Sequence, residues 1–179
     1  MKDLNHLRHV DVHQFAARQE VVEGRVRLGD FSRLLVDVLP VSADQPVEWR
    51  VSCFQRTPLG ERQPQDWLEV TAQALAMQTC QSCLEPVDVK LRVERVFRFV
   101  STEEEALQQD EEAEEDVLVG AGDFNLFDLV EDELILSLPF IPRHGGCIDQ
   151  YASSEETENV SESLHPNPFA VLQTLKAKR

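Results

Sequence analysis

Two cysteines three residues apart lie near the middle of the chain, in the stretch MQTCQSCLEPV. The turn of a C-x-x-C motif aims both sulfur atoms at one point, so Cys80 and Cys83 can supply half of a tetrahedral zinc site. His144 and Cys147 repeat the spacing around two glycines that let the backbone curl around an ion. The four residues predict a Cys3His site for Zn²⁺. The alternative is an exposed turn and an unrelated glycine-rich loop, because about sixty residues separate the pairs.

Other chemistry of these residue types fits the sequence less well. A thioredoxin-like C-x-x-C opens a helix that lowers the thiol pKa, whereas Leu84-Glu85-Pro86 leads into a strand pattern. The sequence has no G-x-S-x-G motif and no glycine-rich loop for a phosphate, and Cys53 lies in the middle of a predicted strand. The sequence therefore predicts a protein that is not an enzyme.

The net charge restricts the partners. Asp and Glu number 33 against 17 Lys and Arg, which gives a formal net charge of −16. Such a surface repels nucleic acid and attracts a basic partner, although the charge can also serve solubility alone. No apolar run approaches the roughly 18 residues of a membrane span. The first residues lack the apolar segment of a signal peptide, so we expect a cytoplasmic protein that does not associate with a membrane.

Four basic residues follow one predicted strand and form a local stripe: Lys90, Arg92, Arg95 and Arg98. A solvated sheet face with cross-strand ion pairs is the favoured interpretation, and contact with an RNA phosphate is the alternative.

Carboxylates are concentrated in the tract of residues 101–116, which has nine of them and no basic residue. Like charges this dense repel one another and predict a mobile loop. Residues 150–166 form a second acidic, serine-rich stretch, which predicts a linker. The acidic residues that we expect to bind a partner are Glu103, Glu104, Glu105, Glu131 and Asp132.

Hydrophobic periodicity predicts the elements that position these residues. Alternation predicts strands over residues 21–28, 47–54, 66–79 and 87–100, and a further β-prone run covers residues 33–41. The cysteine pair then lies at the tip of a hairpin. Three- and four-residue spacing predicts an amphipathic helix over residues 125–138, and shorter helices over residues 11–20 and 167–179.

The predicted fold class is α+β. An antiparallel, mostly meandering sheet curled towards a barrel packs against the helix of residues 125–138, with an open sheet as the alternative. We expect one domain over residues 1–149, the linker over 150–166 and a terminal helix over 167–179.

Three segments together resemble the large ribosomal RNA subunit accumulation protein family of bacteria and chloroplasts: TCQSCLEPV, FDLVEDELILSLPFIPRHGGC and NPFAVLQTLK. The resemblance covers residues 78–179. It implies a role in the synthesis, processing or stability of the large-subunit (23S) rRNA. It also implies cysteines at the positions of Cys80 and Cys83, and one or more after the second proline, where this chain has His144 and Cys147.

Charge and resemblance together predict a non-enzymatic ribosome biogenesis factor. We expect it to bind a basic ribosomal protein or a large-subunit assembly intermediate, so that its effect on rRNA is indirect. The alternative is direct rRNA binding through the cysteine-tipped hairpin and the basic strand face. A nuclease or modification enzyme is a third class, but no group of residues supports it.

Overall fold

A computed structural model describes residues 7–59, 62–110, 113, 115–120 and 122–147 of the 179-residue chain. Its strands are β1 (Val21–Arg27), β2 (Pro46–Arg56), β3 (Gln65–Thr79), β4 (Pro86–Val100) and β5 (Asp116–Val119). Its helices are α1 (Val12–Ala17), α2 (Glu103–Asp110) and α3 (Leu126–Leu136). Short 3-10 turns occupy Leu28–Asp30, Leu34–Val36 and Pro40–Asp44.

The five strands form one mixed sheet in the order β1-β2-β3-β4-β5. β1 to β4 are an antiparallel meander, as predicted, and the α+β class is confirmed. β5 instead lies parallel to β4, because the chain crosses back through α2 before it pairs again. Among the described residues the sheet does not close on itself, which fits the open-sheet alternative.

One face of the sheet and one side of α3 make the core. Val47, Trp49, Val51 and Cys53 alternate with exposed or half-buried residues along β2 and are buried. From α3, the buried side chains are Leu126, Phe127, Val130, Glu131, Glu133 and Leu134. Each large apolar side chain withdrawn from water in this way stabilises the fold by roughly 1.5–3 kcal/mol.

Side-chain caps fix where the helices begin. The carboxylate of Asp11 accepts a hydrogen bond from the backbone of Gln14 (3.1 Å) at the start of α1. Asn125 Oδ1 likewise accepts from the backbone of Asp128 (3.1 Å) at the start of α3. Both residues act as N-caps, because a side-chain oxygen there satisfies an amide that has no partner within the helix.

The prediction of a strand in residues 33–41 is wrong. That stretch forms the turns Leu34–Val36 and Pro40–Asp44. The carboxylate of Glu131 accepts hydrogen bonds from the backbone amides of Arg33 (2.7 Å) and Leu34 (3.2 Å), which strand pairing would otherwise use. Apolar residue types suggested a strand, but a distant carboxylate decides the conformation.

The acidic tract of residues 101–116 contains α2 and the first residue of β5, where charge repulsion predicts a loop. Thr102 Oγ1 accepts from the amide of Glu105 (3.2 Å), and the Glu105 carboxylate accepts from the amide of Ser101 (3.1 Å). This reciprocal cap, with three Glu in the first turn, favours a helix because the helix dipole attracts negative charge there.

Contacts divide the chain into a unit of Met1–Arg143 and a unit of His144–Arg179. Of the second unit, the structure describes His144–Cys147. The predicted linker (150–166) and terminal helix (167–179) lie outside the described residues, and the predicted domain boundaries remain predictions. In the part of the chain that is described, no helix has both the length and the apolar character to cross a membrane.

Candidate metal centre

The β3–β4 hairpin positions the first two cysteines. The strands pair from Asp66–Phe99 to Thr79–Pro86, which places Cys80 and Cys83 in the connecting turn. The amide of Cys80 donates to the carbonyl of Glu85 (2.9 Å), and the amide of Leu84 donates back to the carbonyl of Cys80 (3.0 Å). Cys80 is buried whereas Cys83 is exposed. The predicted tip position is therefore correct, and only one of the two thiols faces solvent.

The segment after α3 returns to this hairpin tip. The backbone amide of Gln81 donates to the carbonyl of Pro142 (2.9 Å), and Pro142 is buried. The contact holds the chain at Pro142, two residues before His144.

His144 and Cys147 form the second pair within one turn of chain. The amide of Cys147 donates to the carbonyl of His144 (3.1 Å), and Cys147 Sγ lies 3.7 Å from His144 Nδ1. Gly145 and Gly146 occupy the intervening positions, where an added Cβ would meet no atom within 4 Å. The local fold thus directs sulfur and imidazole nitrogen towards each other.

One ligand atom from each of Cys80, Cys83, His144 and Cys147 lies within 4.8 Å of the other three, so this group could hold a metal ion. Zinc bound to sulfur at about 2.3 Å and to nitrogen at about 2.0 Å requires ligand separations of roughly 3.5–3.8 Å in a tetrahedron. An ion would therefore have to draw these atoms together by at most about 1.3 Å. Three sulfur ligands and one imidazole suit Zn²⁺ better than Mg²⁺ or Ca²⁺, which prefer oxygen.

The predicted basic stripe is divided between the two faces of the sheet. Lys90 and Arg92 are exposed. Arg95 lies in register with buried Val70 and pairs with Asp116 and Glu133 (3.6 Å to the latter). Arg98 is buried and contacts Glu115 (2.6 Å) and Gln109. Because successive strand residues face opposite sides, the Arg95 side chain does not lie in one line with those of Arg92 and Arg98.

The predicted acidic residues also differ in their surroundings. Glu103, Glu104 and Glu105 are exposed on α2, and Asp132 is exposed beside Arg33. Glu131 is buried and accepts hydrogen bonds from Arg33 and Leu34. It stabilises the fold from within, whereas the other four carboxylates face solvent.

The sequence analysis did not predict two features of this site. One is the hydrogen bond that the Pro142 carbonyl accepts, and the other is the left-handed backbone of Leu84 (φ 63°). The signal that could have found the first is the pair Pro139 and Pro142, which ends the helix just before His144. No signal predicts the second, because Leu is not a residue that usually adopts this conformation.

Comparison with known proteins places these residues in a family. The family model described as "Large ribosomal RNA subunit accumulation protein YceD" matches residues 68–176, which include all four candidate ligands. A protein of that name from Haemophilus influenzae is 37% identical over 102 residues, which cover 55% of this chain and 59% of the relative. No solved structure matches the chain. Because the family model matches more than half of the sequence, the chain belongs to the large ribosomal RNA subunit accumulation protein YceD family.

Proposed function

We propose that this protein is a non-enzymatic ribosome biogenesis factor that promotes the accumulation of 23S rRNA by binding a basic ribosomal protein. Family membership is the observation that carries the proposal, since the family's name implies a role in large-subunit rRNA accumulation. The net charge of −16 favours a protein partner over RNA, because a polyanion repels phosphates and steers basic proteins towards itself. The factor would work in the compartment where ribosomes assemble, the cytoplasm.

The exposed carboxylates of α2 and Asp132 supply part of this attraction. A basic protein bound there has its charge shielded until rRNA receives it. Loss of the factor would lower rRNA levels indirectly, because unassembled rRNA is degraded. The contacts of Arg95 and Arg98 favour a protein partner over RNA. Both side chains are engaged with acidic or amide side chains and are not presented to RNA.

Affinity capture from cells, with and without RNase treatment, tests the proposal. We expect large-subunit ribosomal proteins to remain bound after RNase, and the purified pair to associate at low salt and dissociate as salt rises. Glu103, Glu104 and Glu105 changed together to Gln should weaken binding. The matched control changes Asp88, Glu69 and Glu94 on the sheet to their amides, with the same loss of charge. Partners that disappear with RNase would overturn the proposal.

Direct rRNA binding is the second candidate, because Lys90 and Arg92 have no ion pair among the described residues. Each cation that contacts a phosphate contributes about one unit to the slope of log affinity against log salt. If an rRNA fragment binds as well as a ribosomal protein does, and Arg92→Glu removes that binding, direct binding replaces the first candidate.

We also propose that Cys80, Cys83, His144 and Cys147 hold a structural Zn²⁺ ion. All four side chains act as ligands, so the site has no open position for catalysis. Bound zinc would fasten the segment after α3 to the hairpin tip, reinforcing the Gln81–Pro142 hydrogen bond.

Metal analysis and thiol labelling test the zinc proposal. Protein purified without chelator should contain about one zinc per chain, and Cys80→Ser should lose it. Burial raises the pKa of the Cys53 thiol to about 12, so Cys53 should resist alkylation at pH 8 in every folded sample and act as an internal control. A chelator should make Cys83 and Cys147, which are at least partly exposed, available for alkylation while Cys53 stays unlabelled. Zinc far below one equivalent, unchanged in Cys80→Ser, would remove the proposal.

A further inference from the structure

Exposed apolar side chains are concentrated at the cysteine end of the sheet. The loop of residues 34–44 is attached there, because the amide of Leu39 donates to the carbonyl of Met77 (2.7 Å) and Gln78 Nε2 donates to the carbonyl of Asp37 (3.0 Å). The Gln81–Pro142 hydrogen bond attaches the segment after α3. Five exposed residues of these two segments and of the hairpin turn are what we call the cysteine-end patch: Val36, Val41, Leu84, Phe140 and Ile141.

Leu84 is unusual in both backbone and side chain. Its φ of 63° is a left-handed conformation that Gly or Asn adopts at less cost, and its side chain is 74% exposed. Neither local conformation nor core packing accounts for Leu at this position. A strained residue with an exposed apolar side chain is typical of a functional contact.

Phe140 and Ile141 are held between two prolines. Pro139 and Pro142 have fixed φ angles, and Pro142 is buried at the hairpin tip, so the short segment between them has few conformations to lose on binding. Phe140 is 101% exposed, as open as in an extended peptide. An aromatic side chain presented in this way fits an anchor residue of an interface.

Carboxylates border the patch. Asp37 and Glu85 directly follow Val36 and Leu84 and are exposed, and one exposed cation, Arg143, follows Pro142. The excess of carboxylates disfavours RNA as the occupant, because it repels phosphate. It also disfavours a second copy of the chain, since each copy carries a net charge of −16.

We infer that the cysteine-end patch docks a polypeptide segment with apolar side chains on one side and Lys or Arg on the other. The apolar side chains would contact Leu84, Phe140 and Ile141, and the basic side chains would lie beside Asp37 and Glu85. This inference rests on the proposed function, because it gives the basic client a second surface besides the carboxylates of α2, which lie beyond the other end of β4. A helix laid with its apolar side on such a patch follows a known mode of peptide recognition.

A designed peptide tests the inference. The probe has Leu and Lys at helical spacing, and its two comparison peptides carry Ser for Leu or Glu for Lys. Fluorescence anisotropy at low salt should show binding of the Leu–Lys peptide by the full chain and weak binding of the other two. Leu84→Gly and Phe140→Ser should each weaken binding about tenfold, the effect of losing one anchor contact.

Leu84→Gly is also informative about the fold. Gly relieves the left-handed strain, so the thermal midpoint should not fall while peptide affinity does. The matched control is Leu59→Gly, since Leu59 is 106% exposed but lies in the β2–β3 connection at the opposite end of β3. It should leave peptide affinity unchanged.

Several outcomes would overturn the inference. Equal affinity for the Ser–Lys peptide would show that charge alone binds, and unchanged affinity of both patch variants would remove the surface. Binding of oligouridine RNA that Phe140→Ser abolishes would assign the patch to nucleic acid. A dimer in sedimentation that Phe140→Ser dissociates would assign it to a second copy. Protection of Phe140 from hydroxyl radicals in the isolated monomer would show that the chain itself covers the patch.

The same variants separate this inference from the proposed function. If a salt-extracted mixture of ribosomal proteins binds wild type, Leu84→Gly and Phe140→Ser alike, the client uses another surface and only the inference fails. If wild type binds the Leu–Lys peptide but no ribosomal protein, the proposed function fails while the patch stands.

Discussion

Glu131 shows how one buried side chain determines a distant conformation. Its carboxylate accepts from the amides of Arg33 and Leu34 and from Arg33 Nε (2.9 Å), and the hydrogen bond from the Arg33 side chain raises the pKa of Arg33. Glu131→Gln replaces one accepting oxygen with an NH₂ group that faces donors. We expect the free energy of unfolding, measured in urea, to fall by about 2–4 kcal/mol.

Asp132→Asn is the control for Glu131→Gln, because Asp132 also pairs with Arg33 but is half exposed. Its cost should be about 1 kcal/mol or less. Equal costs for the two substitutions would contradict the structural role assigned to Glu131.

Glu133 should make stability depend on pH. Burial raises the pKa of Glu133, although the charge of Arg95 opposes the rise. A carboxyl whose pKa is raised by folding destabilises the protein when ionised, and this loss is recovered as the pH falls through its folded-state pKa. Glu133→Gln should therefore raise the free energy of unfolding at pH 8, with a difference that vanishes below about pH 4.

Urea denaturation at both pH values measures this difference. Glu69→Gln, on the exposed side of β3, serves as the control and should change stability by no more than about 0.5 kcal/mol at either pH. A Glu133→Gln protein that is less stable than wild type at pH 8 would show that the Arg95 ion pair outweighs burial.

At the residue scale, the sequence predicts the chemistry of a side chain better than it predicts which residues surround that side chain. The spacing of Cys80, Cys83, His144 and Cys147 identified a group whose ligand atoms lie close together. The surroundings of Glu131 and Arg95 were not predictable, since each depends on a partner from a separate element. Periodicity tells which face of an element a residue occupies, but not what packs against that face.

At the scale of elements, β1 packs against β2 at a position where Gly24 has no side chain. Gly24 is paired with Trp49, and a Cβ at Gly24 would lie 2.9 Å from Cζ2 of the buried indole ring. Gly24→Ala should therefore lower the free energy of unfolding by about 1–3 kcal/mol, because the ring must move within a packed core.

Gly122→Ala is the matched control, since an added Cβ there meets no atom within 4 Å. Its effect should stay within about 0.5 kcal/mol in the same denaturation experiment. A harmless Gly24→Ala substitution would show that the indole has room to shift.

Elements with one buried face were the predictable ones. β1 to β4 and α3 carry their own hydrophobic period, so their existence follows from local sequence. The turns Leu34–Val36 and Pro40–Asp44 were predicted as a strand from their residue types, whereas the amides of Leu34 and Leu39 donate to Glu131 and Met77, which are far away in sequence. The parallel pairing of β5 depends on the path of α2, which no local pattern records.

For the whole molecule, zinc binding should be coupled to folding. A ligand that binds only the folded state stabilises it by roughly 4 kcal/mol when its free concentration is a thousand times its Kd. For a chain of this size, that corresponds to a rise in Tm of roughly 8–16 °C. Wild-type Tm should therefore increase with added Zn²⁺, and the Tm of Cys80→Ser should not.

Differential scanning fluorimetry at a series of zinc concentrations measures this coupling. Added Mg²⁺ is the control ion and should leave Tm unchanged, because the donor set is three sulfurs and an imidazole. A Tm of Cys80→Ser that rises with zinc as the wild type's does would place the effect elsewhere in the chain.

The order in which contacts form follows from the Gln81–Pro142 hydrogen bond. β3 and β4 are neighbours in sequence and close only a short turn, whereas this bond joins residues about sixty positions apart. Closing a long loop costs more entropy, so we expect the hairpin to form early and the bond late in folding. The cysteine end would then be completed only in chains whose sheet and α3 are already in place. A partner that binds this end would therefore bind fully folded chains in preference to partly folded ones.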